Sequence, residues 1–157
     1  MAIISRSASY GLRTMCRLAE LAAADKAATI AWLAESEHLP KKYLEQVLRE
    51  LKQAGLVDSR SGPGGGCRLA KPADQITVGD VVRALDGEIR PGHCLEESHA
   101  HDASDCPGCW GMKTCSVREV WVQLQTSINE SLDAFTIAQL VERQRELTGV
   151  SGQDYQI

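Results

Sequence analysis

Cysteines at 94, 106, 109 and 115 place four of the chain's six thiols within 22 residues, CLEESHAHDASDCPGCWGMKTC. Thiolate sulfur is a soft ligand that selects zinc, copper(I) or iron–sulfur centres over magnesium and calcium. The gaps of eleven, two and five residues between these cysteines suit a closed tetrahedral zinc site and an iron–sulfur cluster equally well. His93, His99 and His101 lie in or beside the stretch and could add a nitrogen ligand, although a loop histidine is more often simply solvated. The segment has neither helical nor strand periodicity and is broken by Gly and Pro, so it reads as a loop whose shape a bound centre would fix. CPGC could also act as a redox dithiol, but no βαβ pattern surrounds it, which counts against an electron carrier or redox enzyme.

The elements around this loop read as helices with one hairpin. Leu12, Met15, Leu18, Ala19 and Ala22 recur at helical spacing and predict a first helix over 6–24, within which Cys16 reads as a small buried hydrophobe. A short helix near 29–37 is capped by Thr29. Pro40 then opens a third helix over 40–54, with Tyr43, Leu44, Val47, Leu48 and Leu51 as its apolar stripe and Gly55 as its stop. Two helices joined by a short turn, the second polar at its start, fit a helix-turn-helix. In that motif Lys41, Lys42, Glu45 and Gln46 would face the major groove.

Two short strands, 56–59 and 67–70, flank Arg60-Ser61-Gly62-Pro63-Gly64-Gly65-Gly66, predicting a hairpin with a glycine-rich tip. A hairpin directly after a helix-turn-helix is a wing. Gly64 and Gly65 would let its backbone approach a phosphate, and Arg60 and Arg68 would supply charge. A nucleotide-binding loop is excluded, because no GK[ST] ending and no helix follow. Thr77 and Asp80 form a capping-box-like pair that starts a helix over 77–86. Beyond the cysteines, Val117, Val120, Trp121, Leu124, Ile128, Leu132 and Phe135 make one apolar stripe along a helix over 115–135. A small winged domain cannot cover so long a stripe, so half of it should pack against a second copy. A last helix over 136–147 folds back, and 148–157 is a tail.

The fold class expected is therefore mainly α: a winged helix-turn-helix domain at 1–87, a cysteine-rich loop at 88–114, a dimerisation helix and C-terminal helix at 115–147, and a tail. Composition agrees. Only 4% of the 157 residues are aromatic, and aliphatic side chains dominate, as in helical packing. Residues 1–72 carry 11 Lys/Arg against 7 Asp/Glu, net +4, while 73–157 carry 6 against 14, net −8. A basic half beside an acidic half hints at a polyanion bound on one side. No run of 18 apolar residues predicts a membrane span, and the N-terminus lacks a signal-peptide core. A cytoplasmic chain is expected, in which clustered thiols stay reduced and read as metal ligands.

These residues carry a resemblance. SASYGLRTMCRLA, LPKKYLEQVLRELKQAGLV, GPGGGCRLAKP, ITVGDVVRALDGE and the CSVREVW that opens the long helix together resemble the bacterial iron–sulfur cluster regulator family of IscR/NsrR-like winged-helix transcription factors. The likeness spans most of the chain. It implies no enzyme but a homodimeric transcriptional regulator, a repressor, with crossing long helices formed around Val117, Val120, Trp121, Leu124, Ile128 and Leu132. Double-stranded operator DNA would be held by the third helix (Lys41, Lys42, Tyr43, Glu45, Gln46) and the wing (Arg60, Ser61, Gly64, Gly65, Arg68). A redox- or nitric-oxide-sensing cluster would sit in the loop, 2Fe–2S being favoured over 4Fe–4S and zinc being the alternative.

The resemblance matches Cys94 to the family's first ligand and Cys115 to its last. The chain departs from the pattern between them. It has two cysteines there, Cys106 and Cys109, where the family has one. A fourth-ligand histidine used in one branch is replaced by Arg118, and a fourth-ligand aspartate used in another by Ser9. The expected ligand set is therefore Cys94, Cys106, Cys109 and Cys115. On the DNA side, Ser61 stands where an arginine is usual before the wing glycine, with Arg60 one residue earlier. Cys67 stands where an aromatic residue is usual and reads as a packing change.

Overall fold

The computed structural model describes residues 4–60, 62, 64–95 and 115–149. The chain opens with α1 (Arg6–Ala22), α2 (Ile30–Ser36) and α3 (Lys41–Gln53). A two-stranded antiparallel hairpin follows, β1 (Val57–Arg60) and β2 (Gly66–Leu69), then α4 (Val78–Asp86), α5 (Ser116–Asp133) and α6 (Ile137–Thr148). Single 3₁₀ turns cover Ala73–Gln75 and His93–Leu95. The expected mainly helical winged fold is what forms, with element ends shifted by one or two residues.

Local chemistry sets those ends. Ser5 caps α1, accepting the N–H of Ala8 at 3.1 Å, and Thr29 caps α2, accepting that of Trp32 at 3.2 Å. Both α4 and α6 start with complete capping boxes, Thr77 with Asp80 and Thr136 with Gln139. Such reciprocal bonds satisfy two of the N–H groups that a helix start leaves without partners. Ser5 also joins the two ends of the winged domain: its N–H donates to Asp86 at 2.8 Å, and its hydroxyl bonds the same carboxylate.

The apolar stripes converge on one core. Met15 and Leu18 of α1, Leu33 of α2, Leu44, Val47 and Leu51 of α3, Val57 of β1, Val81 of α4 and Ile137 of α6 are all buried in it. Each such side chain contributes roughly 1.5–3 kcal/mol relative to exposure. The fold-back of the last helix is thus part of the core, with α6 lying against α1. A smaller cluster of Ala8, Val78, Val82 and Ile89 receives Ile128 and Leu132 from α5.

Sequence periodicity did not find a third strand-like contact at β2. Ala28 bridges to Cys67, exchanging N–H···O bonds of 3.1 and 2.7 Å. The approach is so close that a Cβ on Gly66 would lie 2.6 Å from the carbonyl oxygen of Ala28, and Gly66 has φ of 148°. Only glycine fits there.

The α5 stripe divides into two faces. Trp121 packs on Gly92, where a Cβ would come within 2.8 Å of its ring. Gln125 donates to the carbonyl of Ile89 at 2.8 Å. Ile128 and Leu132 join the smaller cluster. Val117, Val120 and Leu124 instead point away, 49%, 59% and 39% exposed, and Phe135 beyond the helix end is exposed too. Of the six residues expected at a dimer seam, Trp121, Ile128 and Leu132 therefore have partners within their own chain.

At the α4–α5 corner, Arg83 clasps Asp133 at 2.7 Å and Asp80 at 3.3 Å, and the Thr77 hydroxyl bonds Asp133 at 3.2 Å. The backbone closes the same corner: Val78 donates to Phe135 at 2.8 Å and Ile137 to Ile76 at 2.9 Å.

Candidate nucleic-acid interface and metal centre

The turn between α2 and α3 is held by a carboxylate the sequence did not single out. Glu37, at the C-terminal cap of α2, is buried, and two α1 cations reach it: Arg13 at 2.9 Å and Arg17 at 3.4 Å. A buried acid needs such partners. His38 follows with φ of 54°, the left-handed conformation that reverses the chain, and Leu39 donates back to Ala34 at 2.9 Å. The pair α2–α3 is thereby fixed as a helix-turn-helix.

The start of α3 projects from this frame. Lys41, Lys42 and Gln46 are exposed and Glu45 is half-buried. Lys41 lies 3.9 Å from Glu45, and Gln46 donates to Glu50 at 3.2 Å. The first turn carries no acidic residue, so its free N–H groups and two lysines make a positive face suited to phosphate. Tyr43 differs from its neighbours. Its hydroxyl shares a 2.7 Å hydrogen bond with Ser7, and its ring meets Tyr10 edge-on at 5.9 Å. It is engaged with α1 and fixes the angle at which α3 leaves the domain. Nothing in the local sequence marks Ser7 as its partner.

On the hairpin, Val57 pairs with Leu69, Asp58 with Arg68, Ser59 with Cys67 and Arg60 with Gly66. The tip turns through Gly62 and Gly64, both at positive φ, and Gly65 donates to Gly62 at 2.9 Å. Ser61 lies outside the described residues. Arg60 is exposed and makes no ion pair among the described residues. Arg68 is held by Asp25 at 3.1 Å and sits across from Asp58, so much of its charge is already balanced. The base of the wing is tied to α3 by Lys52, which donates to the Ser59 hydroxyl at 2.5 Å.

Cys16 and Cys67 belong to the core. Burial pushes the Cys16 thiol up to about 11, with Glu20 and Glu37 adding to the effect, and burial likewise raises Cys67. Raised thiols stay protonated at neutral pH and are poor ligands and nucleophiles.

Of the four expected ligands, two are placed. Cys94 sits in the 3₁₀ turn and Cys115 is the N-cap of α5; both are half-buried free thiols. The 3₁₀ turn packs against α5, so it is brought to the helix that Cys115 begins. Cys106, Cys109, His99 and His101 lie outside the described residues, and no group of three or more possible ligands assembles among the described ones. The two positions where related patterns carry a further ligand hold Arg118, whose Nε is enclosed without a hydrogen-bond partner, and Ser9, whose hydroxyl donates to Ser5 at 3.1 Å. Thiolate at a helix N-terminus is electrostatically favoured, and an enclosed cationic donor one turn on suits an anionic sulfur centre. The described donors therefore fit such a group.

A family model described as Rrf2, iron-dependent transcriptional regulator, matches residues 4–143. The protein rrf2 of Nitratidesulfovibrio vulgaris is 33% identical over 141 residues, 90% of this chain and 87% of its own length. Among solved structures, that of CymR (YrzC), the global cysteine regulator of B. subtilis, superposes with a TM-score of 0.69 at 31% identity, covering 91% of this chain and 98% of that one. T. potens IscR gives 0.70 at 28% identity, with 98% and 96% covered. The resemblance drawn from the motifs and the helix-turn-helix with its wing thus agree with the relatives, and the chain is a member of the Rrf2 family of DNA-binding transcriptional regulators, not an enzyme.

Proposed function

We propose that this regulator acts as a cytoplasmic homodimer whose hold on operator DNA is set by a cysteine-ligated iron–sulfur cluster. Lys41, Lys42 and Arg60 contact phosphates, and Glu45 and Gln46 read base edges. Gly64 and Gly65, with Ser61, bring the wing backbone to the duplex. Arg68, balanced by Asp25, plays a lesser part, and Tyr43 acts by orienting α3.

The observation that carries the sensory half is the placement of Cys94 and Cys115 on two elements that pack together. With Cys106 and Cys109 they make a four-thiolate set. A bound cluster, 2Fe–2S in preference to 4Fe–4S, would supply a centre that oxidants and nitric oxide alter. The loop's state reaches the dimer helix through two contacts, Gly92 on Trp121 and Ile89 to Gln125. A change in loop shape then biases the angle of α5 and with it the separation of two recognition helices. No described helix is long and apolar enough to cross a membrane.

Purification without oxygen, with visible absorption and iron, sulfide and zinc analysis, tests this reading. A brown chain containing iron and sulfide is expected. A colourless chain carrying one zinc, to which the same four donors are equally suited, would replace the sensor with a zinc-stabilised regulator. Cys106→Ala and Cys109→Ala should each lose metal and colour; if either keeps both in full, the all-cysteine set is wrong.

A further inference from the structure

Arg118 stands one turn inside α5, its backbone N–H donating to the Cys115 carbonyl at 3.2 Å. Its side chain is half-buried, and its Nε is enclosed with no hydrogen-bond partner. Leaving a buried charged donor unsatisfied costs more than leaving a neutral one. Its position adds to the cost. The first turn of a helix concentrates positive potential, so α5 repels a cation there. Among the described residues no carboxylate accepts a hydrogen bond from its enclosed Nε.

A cation set against its own helix dipole, with an enclosed donor, calls for an anion. Glu119 in the same first turn is exposed, and the other groups the fold brings to this end of α5 are sulfurs. Cys115 is the N-cap three residues earlier, and Cys94 lies in the 3₁₀ turn packed on the same helix. As thiols they are neutral; as ligands they are thiolates. Arg118 cannot itself ligate a metal, because a guanidinium has donors and no lone pair to offer.

We infer that Arg118 is a positioning residue for the thiolate-held centre, its guanidinium donating to sulfur and offsetting the negative charge that four thiolates accumulate. The inference rests on the cluster reading given above. A fixed cation beside a cluster favours the form that has gained an electron, so Arg118 raises the reduction potential and retards loss of iron.

The test uses the full chain, purified without oxygen and reconstituted with iron and sulfide, as wild type, Arg118→Lys and Arg118→Met. Iron and sulfide per chain are measured, and the potential is read by titration with dithionite. Arg118→Met should still take up iron and sulfide on reconstitution, since no ligand has been removed, but lose iron faster than wild type. Its reduction equilibrium should fall about tenfold, a shift of about 59 mV to more negative potential for one electron, with Arg118→Lys between. Loss of iron from the Met variant alone also supports the assignment, because charge then decides retention. Three equal potentials overturn the inference and leave the cluster reading standing. Loss of iron from both variants while they stay folded overturns it as well, by making the role one of shape. A wild-type chain that takes up neither iron nor sulfide overturns the cluster reading, and the role of Arg118 falls with it.

Discussion

Lys42 and Glu45 lie within one turn of each other on α3 but are asked to do different things. Lys42 is exposed at the positive start of the helix. A lysine there neutralises a phosphate whatever the base sequence. Lys42→Ala should therefore weaken all sites alike and lower the salt slope of binding by about one. Glu45, half-buried and 3.9 Å from Lys41, can accept from cytosine in the groove. Glu45→Ala should cost about 1–3 kcal/mol on the preferred operator and relax preference at one base position. Competition binding across single-base operator variants checks both; parallel losses from the two substitutions would undo the division of roles. Residue type was enough to nominate these side chains. It did not separate Tyr43 from them, because a tyrosine at that register can point to DNA or back to α1, and only the placement of Ser7 and Tyr10 decides.

At the scale of elements, two local features of the sequence have measurable consequences. His38 makes the helix-turn-helix turn at φ of 54°. A non-glycine residue there costs roughly 1–2 kcal/mol, and glycine returns roughly 0.5–1 kcal/mol of that as extra chain entropy in the unfolded state. His38→Gly should stabilise the domain by up to about 1 kcal/mol, or about 2–4 °C in Tm; a lower Tm would mean the imidazole has a role the turn does not require. The α4–α5 corner depends on pH. The hydrogen bond from Arg83 lowers the Asp133 carboxyl, its charge and the Thr77 hydroxyl assist, and burial opposes. A lowered folded-state pKa gives stability that is present above the unfolded value near 3.9 and is lost as pH falls below it. The group is 44% exposed, so screening limits the effect to about 1 kcal/mol or less. Asp133→Asn should be less stable than wild type at pH 6, and the gap should close towards pH 3 in urea titrations; a gap that persists at pH 3 would assign it to shape instead of charge. Helix starts were legible because capping residues announce them, as Thr77 with Asp80 does. The Ala28–Cys67 bridge was not, since a single paired residue leaves no period to read and only tertiary contact creates it.

For the whole molecule, the division of the α5 stripe defines what the proposed second copy would have to cover. Periodicity marks Val117, Val120, Trp121, Leu124, Ile128 and Leu132 as apolar, but it cannot tell which of them the chain's own α4 and 88–92 segment will take. Trp121, Ile128 and Leu132 are taken. Val117, Val120 and Leu124, at spacings of three and four on one face, are left at 49%, 59% and 39% exposure. Leaving such a face in water forfeits roughly 1.5–3 kcal/mol per large side chain, and a symmetric partner supplies the same face in return. Val120 is the sensitive position, because it has no role within its own chain. Val120→Glu should leave the monomer fold within about 0.5 kcal/mol of wild type, as surface changes do. It should still shift sedimentation from dimer to monomer, since two carboxylates would meet in a seam meant for methyl groups. A monomer cannot engage two half-sites about 34–36 Å apart. Specific operator binding should therefore collapse while weak, salt-sensitive binding through Lys41 and Lys42 survives. If Val120→Glu stays dimeric and binds its operator normally, the seam lies on another face, and the path from the cysteine loop to the spacing of the recognition helices cannot run through this side of α5.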